Sequence, residues 1–265
     1  MNRLFRKTLA DGDRIEVAGV GVRLRVSGRA RRVSLRLDLA RGEVIAVAPT
    51  PRRLSEAAAF AKQRADWIVQ RMAELPPPQR LAPGEIIEVL GRPHLLRHAP
   101  GRAAFGPPTA SGAPATLTAG GDLASFPAAV TRALKAEARR VLGQRTEHWA
   151  GVLAQPMPTV SITDPKARWG SCRQSRRQGF GAGCEVGRIR YSWRLVLAPF
   201  PVADYVAAHE CAHLIEANHS PRFWALVHDM VGDHRPHREW LRQHGARLHG
   251  FGSAVDAREA RATGL

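Results

Sequence analysis

Three histidines and a glutamate lie close together in "HECAHLIEANH", residues 209–219. His209 and His213 are four positions apart, so on an α-helix their side chains lie on one face, about 6 Å apart, and both can bind one metal ion. Glu210 lies beside His209 and can reach a water molecule on that ion. This H-E-x-x-H spacing is typical of zinc peptidases, and it requires a helix over this stretch.

A third ligand is expected, because a catalytic zinc site has at least three protein ligands. His219 follows His213 by six positions and immediately precedes Ser220-Pro221, a pair typical of the start of a new helix. A chain that turns at this junction can bring His219 back to the same ion. Three other residues are alternative third ligands: Glu216, His234 and His237.

Three neutral imidazoles suit Zn²⁺ and leave it an open coordination position. Zinc lowers the pKa of a bound water and polarises a carbonyl group, and Glu210 would serve as the general base for that water. The pattern therefore predicts zinc-dependent hydrolysis of peptide bonds, with Zn²⁺ as the cofactor. Hydrolysis of a non-peptide amide and a zinc-stabilised nucleic-acid-binding protein without turnover are the alternatives.

The charge of the chain points to a second type of partner. The net charge is +17 and the pI about 11.4, which is typical of proteins that bind polyanions such as nucleic acid. Arginine supplies most of this charge beside abundant alanine, glycine and proline, a bias that GC-rich coding also produces. Nucleic acid is therefore a candidate partner beside the peptide or protein substrate.

Other global features indicate a cytoplasmic protein with no membrane partner. No apolar run reaches the roughly 18 residues of a membrane span, and the N-terminus lacks the apolar segment of a secretory signal. Three cysteines, Cys172, Cys184 and Cys211, provide no disulfide framework.

Hydrophobic periodicity predicts an α+β fold with a β-rich N-terminal portion over residues 1–98. The segments "VRLRVS", "RRVSLRLDL" and "EVIAVAP" alternate apolar and polar residues, as strands with one buried face do. A helix at about 55–75 ends at three prolines, 76–78, and "EIIEVLGRPHLLRH" reads as a hairpin.

Residues 99–122 are rich in glycine, proline and alanine and are predicted to be a linker or loop. The catalytic portion would then cover residues 123–250, with a long helix at about 126–150 and strands near "TVSITD", "RWGSC" and "RIRYSW". Three further helices are predicted at about 204–217, from Ser220 to Gly232, and at 236–244, the last ended by Gly245. Residues 251–265 are predicted to be a flexible tail.

Several segments together resemble one known family. They are "RWGSC" at 168–172, "YSWRLVLAP" at 191–199, "DYVAAHECAHLIEANHSPRFW" at 204–224 and "REWL" at 238–241. In this order they resemble the YgjP-like metal-dependent hydrolases, a bacterial zincin family related to the SprT-like peptidases. The likeness spans roughly residues 25–245. It implies a minimal zincin-like metallopeptidase domain with a helical C-terminal part, with His209, His213 and His219 as zinc ligands and Glu210 as the catalytic acid/base.

The resemblance also implies that the segment beginning "RWGSC" runs beside the active site, where an exposed strand edge could pair with an extended or unfolded peptide. Four residues are candidates for contacting substrate or stabilising the oxyanion: Arg168, Trp169, Tyr191 and His237. SprT-like relatives act on proteins attached to DNA, which the basic charge here would suit. Residues 173–190 depart from the family pattern through extra arginines and Cys184, and we expect a longer hairpin there that covers or widens the cleft.

Overall fold

The chain folds into two compact units in a computed structural model, one within residues 8–74 and one within residues 81–251. The structure describes residues 8–38, 42–74, 81–108, 114–165, 168–174 and 186–251. Each unit combines helices with small sheets, so the predicted α+β class is confirmed. In the described part of the chain, no helix has both the length and the apolar character needed to cross a membrane.

The first unit contains a sheet of four strands, β1 Arg14–Val17, β2 Val20–Val26, β3 Ser34–Asp38 and β4 Glu43–Ala48, in the order β1-β2-β4-β3. Alternation predicts β2, β3 and β4 but not β1. Strands β2 and β4 run parallel, and the other neighbours are antiparallel. Val22 and Leu24 are fully buried, whereas Arg23 between them pairs with Glu43. One face of β2 is therefore apolar and packed, as period-two alternation requires.

The helix predicted over 55–75 is two helices, α1 Leu54–Gln63 and α2 Ala65–Ala73, preceded by a 3-10 turn at Pro51–Arg53. The break lies at Arg64, whose amide bonds to the carbonyls of both Phe60 and Ala61 and whose ψ of 27° leaves the helical range. Neither glycine nor proline marks this position, so the local sequence does not reveal it.

The second unit begins with a sheet of β5 Ile86–Val89, β6 Arg92–His98, β7 Ala104–Gly106 and β8 Ala115–Ala119, in the order β5-β6-β8-β7. The predicted hairpin is the antiparallel pair β5 and β6. Residues 99–122 are not a plain linker, because β7 and β8 lie within them and β8 pairs with β6. The boundary between the units lies near residue 78, before the position that composition suggested.

A long helix and a second sheet follow. Helix α3 Phe126–Val152 leads to β9 Thr159–Thr163, β10 Gly170–Arg173 and β11 Arg188–Ser192. Strand β11 is central, parallel to β9 and antiparallel to β10. Strand β10 is thus an edge of this sheet as far as the described residues go.

Three helices complete the second unit: α4 Phe200–Ala212, α5 Pro221–Val231 and α6 Arg235–Gly250. Helix α4 begins before the predicted Asp204, because prolines are compatible with a first turn whose amides need no partner. It also ends before the predicted residue 217. Helix α5 matches its prediction, and Gly232 follows it with a φ of 72°.

Helix α6 extends well past the predicted stop at Gly245. Gly245 is buried inside the helix because Trp169 packs against it: a Cβ at this position would lie 2.9 Å from Cζ2 of Trp169. This contact between distant segments, and not helix termination, accounts for the glycine. The predicted tail at 251–265 falls beyond the described residues, apart from the buried Phe251.

Candidate metal centre

Helix α4 holds His209 and Glu210 on a rigid support. Its residues are buried almost all round, which is the pattern of a helix inside a core. Near its start, the Asp204 carboxylate accepts hydrogen bonds from Nε of Arg145 (2.6 Å) and from Nε1 of Trp149 (2.7 Å), both on α3. These bonds fix α4 against α3 and so fix the position of its C-terminal end.

His213 directly follows the last residue of α4 and keeps helical geometry, with φ −67° and ψ −13°. Its side chain therefore still lies on the same face as His209. Nδ1 of His213 is 2.9 Å from the backbone oxygen of Glu216. A carbonyl oxygen can only accept, so the proton of His213 is on Nδ1 and its Nε2 presents a lone pair.

The chain then turns and brings His219 to the two helical histidines. Ser220 ends the turn: its Oγ accepts a hydrogen bond from the amide of Phe223, 3.2 Å away, and so caps α5. Nε2 of His219 lies 3.2 Å from Nε2 of His213 and 3.1 Å from Nε2 of His209. The alternative third ligands make other contacts. The Glu216 carboxylate forms an ion pair with Arg222. The ring of His234 stacks on Trp224, and that of His237 stacks on Tyr205.

The three ring nitrogens fit a zinc ion. Ligand nitrogens about 2.0–2.1 Å from a tetrahedral zinc are roughly 3.3–3.4 Å apart, close to the separations seen here. Burial lowers the pKa of His209 to about 3, with neighbouring His213 as the next cause, and burial also lowers the pKa of His219. The imidazoles of His209 and His219 are therefore neutral near pH 7, as metal ligands must be, and a cation between the three rings would relieve the close approach of their nitrogen atoms.

One aromatic side chain supports all three imidazoles. Phe223 is fully buried, and its ring centre lies 4.9 Å from that of His209, 4.4 Å from that of His213 and 4.8 Å from that of His219. Because Phe223 is on α5 just after the Ser220 cap, the same turn that positions His219 also positions this ring. The sequence pattern alone does not indicate this role for Phe223.

The side chain of Glu210 extends from α4 towards β10. The residue is buried, with 5% of its surface exposed. Burial raises the pKa of its carboxyl to about 7, and the positive charge of Arg168 acts in the opposite direction. Gly170 of β10 packs against this side chain, and a Cβ there would lie 2.7 Å from both Cγ and Cδ of Glu210. The carboxylate thus occupies space that any other residue at 170 would fill.

A cleft opens on each side of Glu210. The larger has a volume of about 640 Å³, and the smaller about 410 Å³. His209, Glu210 and Gly170 line both. Trp169, Tyr205 and arginines of α6 continue the larger cleft, whereas Ser171, Cys172, Gln174 and Ala217 continue the smaller one with His213 and His219. Both clefts therefore border His209, Glu210 and the start of β10.

The four candidate substrate residues fall in different places. Trp169 lines the larger cleft and stacks on His249 at 4.3 Å, and Arg168 beside it is exposed. His237 stacks on Tyr205, with ring centres 5.7 Å apart. Tyr191 is fully buried, and its hydroxyl is 2.9 Å from Oγ1 of Thr146, so this residue belongs to the core behind the site and does not line a cleft.

Sequence reasoning also missed residues of the larger cleft, among them Tyr205 and Arg238. Tyr205 precedes His209 by one helical turn, which is the signal that could have identified it. Burial raises the pKa of Tyr205 to about 12, so its hydroxyl keeps its proton. Arg238 lies on the same face of α6 as Arg235 and Arg242, a spacing visible in the sequence once the helix is known.

Comparison with known proteins gives one match. A family model described as YgjP-like, metallopeptidase domain, matches residues 31–244. No curated protein and no solved structure matches the chain. The matched region covers most of the chain and contains the three converging histidines and Glu210. The chain therefore belongs to the YgjP-like family and carries its metallopeptidase domain.

Proposed function

We propose that this protein is a zinc-dependent peptidase in which His209, His213 and His219 hold the metal and Glu210 is the general base. The observation that carries the proposal is the approach of three imidazole Nε2 atoms to one point beside a buried carboxylate. Three neutral nitrogen ligands favour zinc over the harder cations that prefer oxygen.

Bound zinc would supply Lewis acidity, polarising the scissile carbonyl and making a water acidic enough to attack. Glu210 would take the proton from the attacking water and deliver it to the leaving amine. Its burial suits this task, because a carboxylate with a raised pKa is a stronger base than an ordinary one. Gly170 and the wall of β10 hold the carboxylate in place.

We propose that the substrate is an extended or unfolded peptide that lies along β10. Strand β10 is an edge strand of its sheet within the described residues, and edge pairing gives main-chain hydrogen bonds that do not depend on sequence. Clefts on both sides of Glu210 would accommodate side chains before and after the scissile bond. Trp169, which lines the larger cleft, and Arg168, which is exposed at the entry to β10, are the sequence-predicted candidates situated to contact that chain.

The test is digestion of an unfolded protein by purified, zinc-loaded enzyme, with products identified by mass spectrometry. Wild-type protein should cleave, Glu210→Gln should keep its zinc and lose most of the activity, and a chelator should abolish cleavage until zinc is restored. A panel of small non-peptide amides run beside the protein substrate distinguishes the alternative amidase. Cleavage of those amides alone would overturn the peptidase assignment.

A second candidate function, nucleic-acid binding, rests on a groove in the first unit. This groove, about 490 Å³ in volume, is lined by Arg32, Val33, Ser34, Leu35, Phe60, Arg64 and Trp67. Trp67 is 37% exposed, and the Arg64 guanidinium lies 5.7 Å from the Phe60 ring centre. Exposed aromatic rings beside arginines are the elements that stack bases and neutralise phosphates in single-strand binding.

The test for this candidate is binding of a labelled single-stranded oligonucleotide at two salt concentrations. Trp67→Ala should weaken binding about tenfold, because base stacking on one aromatic ring contributes about 1–3 kcal/mol. Val69→Ala is the matched control, since Val69 is exposed on the same helix but lies outside the groove. An equal loss of affinity in both variants, or the absence of salt-dependent binding, would contradict the proposal that this groove binds nucleic acid.

A further inference from the structure

The larger cleft beside the metal centre has a basic wall. Three arginines of α6 line it: Arg235, Arg238 and Arg242. They are spaced by three and four residues, so they share one face of the helix. The opposite wall is formed by Trp169, Gly170 and α4, which carries His209 and Glu210. A substrate segment in this cleft would therefore lie between the reacting centre and a row of guanidinium groups.

Two of these arginines already have acidic partners. Arg235 makes a forked pair with Asp233, with nitrogen–oxygen distances of 2.8 and 2.9 Å. Arg242 makes a similar pair with Glu239, at 2.7 and 2.5 Å. These pairs neutralise much of the charge at the two ends of the row and hold both side chains along α6.

Arg238, in the middle of the row, is different. No carboxylate within the described ranges forms an ion pair with it. Its guanidinium lies 5.0 Å from the ring centre of Trp224, a cation–π contact that orients the group without neutralising it. Trp224 in turn stacks on His219, 5.6 Å between ring centres, and on His234, 4.6 Å. Arg238 is thus one aromatic ring away from a residue of the metal centre.

Arg238 lines the same cleft as His209 and Glu210. The nearby walls add apolar surface through Val206 and Leu241, which could contact the methylene groups of a side chain. A volume of about 640 Å³ is enough for such a side chain.

We propose that this cleft is a carboxylate-binding subsite in which Arg238 binds an acidic group of the substrate next to the scissile bond. An arginine fork matches a carboxylate with two parallel hydrogen bonds, which few other ligands of a peptide can supply. The carboxylate is either a glutamate or aspartate side chain or the C-terminus of the peptide. The inference rests on the proposed peptidase function and adds a substrate preference to it.

Binding, measured without turnover, is the test. Three labelled alanine–serine peptides are compared by fluorescence anisotropy on zinc-loaded Glu210→Gln protein. One has a central glutamate and an amidated C-terminus, the second has glutamine instead, and the third has glutamine and a free C-terminal carboxylate. A carboxylate-containing peptide should bind about tenfold more tightly than the amidated glutamine peptide, as expected for a charged hydrogen-bonded contact.

The comparison also separates the two sources of the carboxylate. Preference for the glutamate peptide assigns the subsite to an acidic side chain, and preference for the third peptide assigns it to a C-terminus. Arg238→Gln should remove whichever preference is found. Arg247→Gln is the matched control, because it removes the same charge from α6 at a position nine residues further on, which is about two and a half turns and so the opposite face.

A charge-reversal variant distinguishes loss of the carboxylate preference from misfolding, because a misfolded protein would not gain a new preference. Arg238→Glu should reverse the preference, so that a central lysine peptide binds more tightly than the glutamate peptide. Equal binding of all three original peptides would overturn the subsite, as would a preference unchanged by Arg238→Gln. Binding of a single-stranded oligonucleotide that needs Arg238, without any peptide preference, would also overturn it in favour of a phosphate site. Because no outcome depends on cleavage, failure of the peptidase proposal would be seen separately in the digestion experiment.

Discussion

Gly170 lies directly against the side chain of Glu210. A methyl group at position 170 would come within 2.7 Å of both Cγ and Cδ of Glu210, closer than two carbon atoms can approach without displacement. Strand β10 therefore determines where the buried carboxylate can be, and it does so through a residue with no side chain.

Gly170→Ala should reduce turnover roughly 100-fold, because a displacement near 1 Å at a reacting group has costs of this size. Zinc content should stay at the wild-type level, since Gly170 does not touch the metal-binding nitrogens. Steady-state kinetics and metal analysis of the same samples measure both. The control is Gly143→Ala in α3, where an added methyl group meets nothing within 4 Å. Full activity in Gly170→Ala would show that the carboxylate position is not critical.

Ser220→Ala should lower the free energy of unfolding by about 1 kcal/mol, because it removes the hydrogen bond that caps α5. Thermal unfolding of the metal-free protein should show a decrease in Tm of about 2–4 °C. Zinc affinity should also fall, since His219 directly precedes this cap. Ser220→Thr retains a capping hydroxyl and should behave like the wild type. If Thr and Ala variants are equally impaired, the cap is not the cause.

Tyr191→Phe tests whether this sequence-predicted substrate residue acts in the core. Thr146 donates to the carbonyl of Leu142, so the Tyr191 hydroxyl donates to Thr146. Its removal should cost about 1 kcal/mol of stability and leave kcat and KM nearly unchanged. Denaturant unfolding and kinetics are the measurements. A large fall in kcat with unchanged stability would instead show that Tyr191 contributes to catalysis.

The parts of the fold that sequence predicted depend on local periodicity. Alternation in "VRLRVS" gave β2, and the Ser220-Pro221 pair gave the start of α5. The convergence of the three histidines could also be foreseen from the sequence. His209 and His213 are spaced to share one face of a helix, and the turn before α5 brings His219 back to them.

What sequence could not predict depends on contacts between distant segments. In the sequence, Gly245 predicts the end of a helix. In the structure it is buried within α6, where the ring of Trp169 packs against it and leaves no room for a side chain. Strands β7 and β8 lie in a glycine- and proline-rich stretch, and their pairing with each other and with β6 overrides that composition. The role of Gly170 and the exposure of Arg238 in a cleft become visible only when β10 and α6 are seen beside α4.

The central claim is that three histidines hold one zinc ion. The most direct test is the zinc content of protein purified without added metal, compared among wild type, Glu210→Gln and His213→Ala. The account predicts about one zinc per chain in the first two and almost none in the third, because two imidazoles alone do not make a zinc site. Zinc content unchanged by His213→Ala, or a wild-type protein that binds no zinc even when it is supplied, would contradict it.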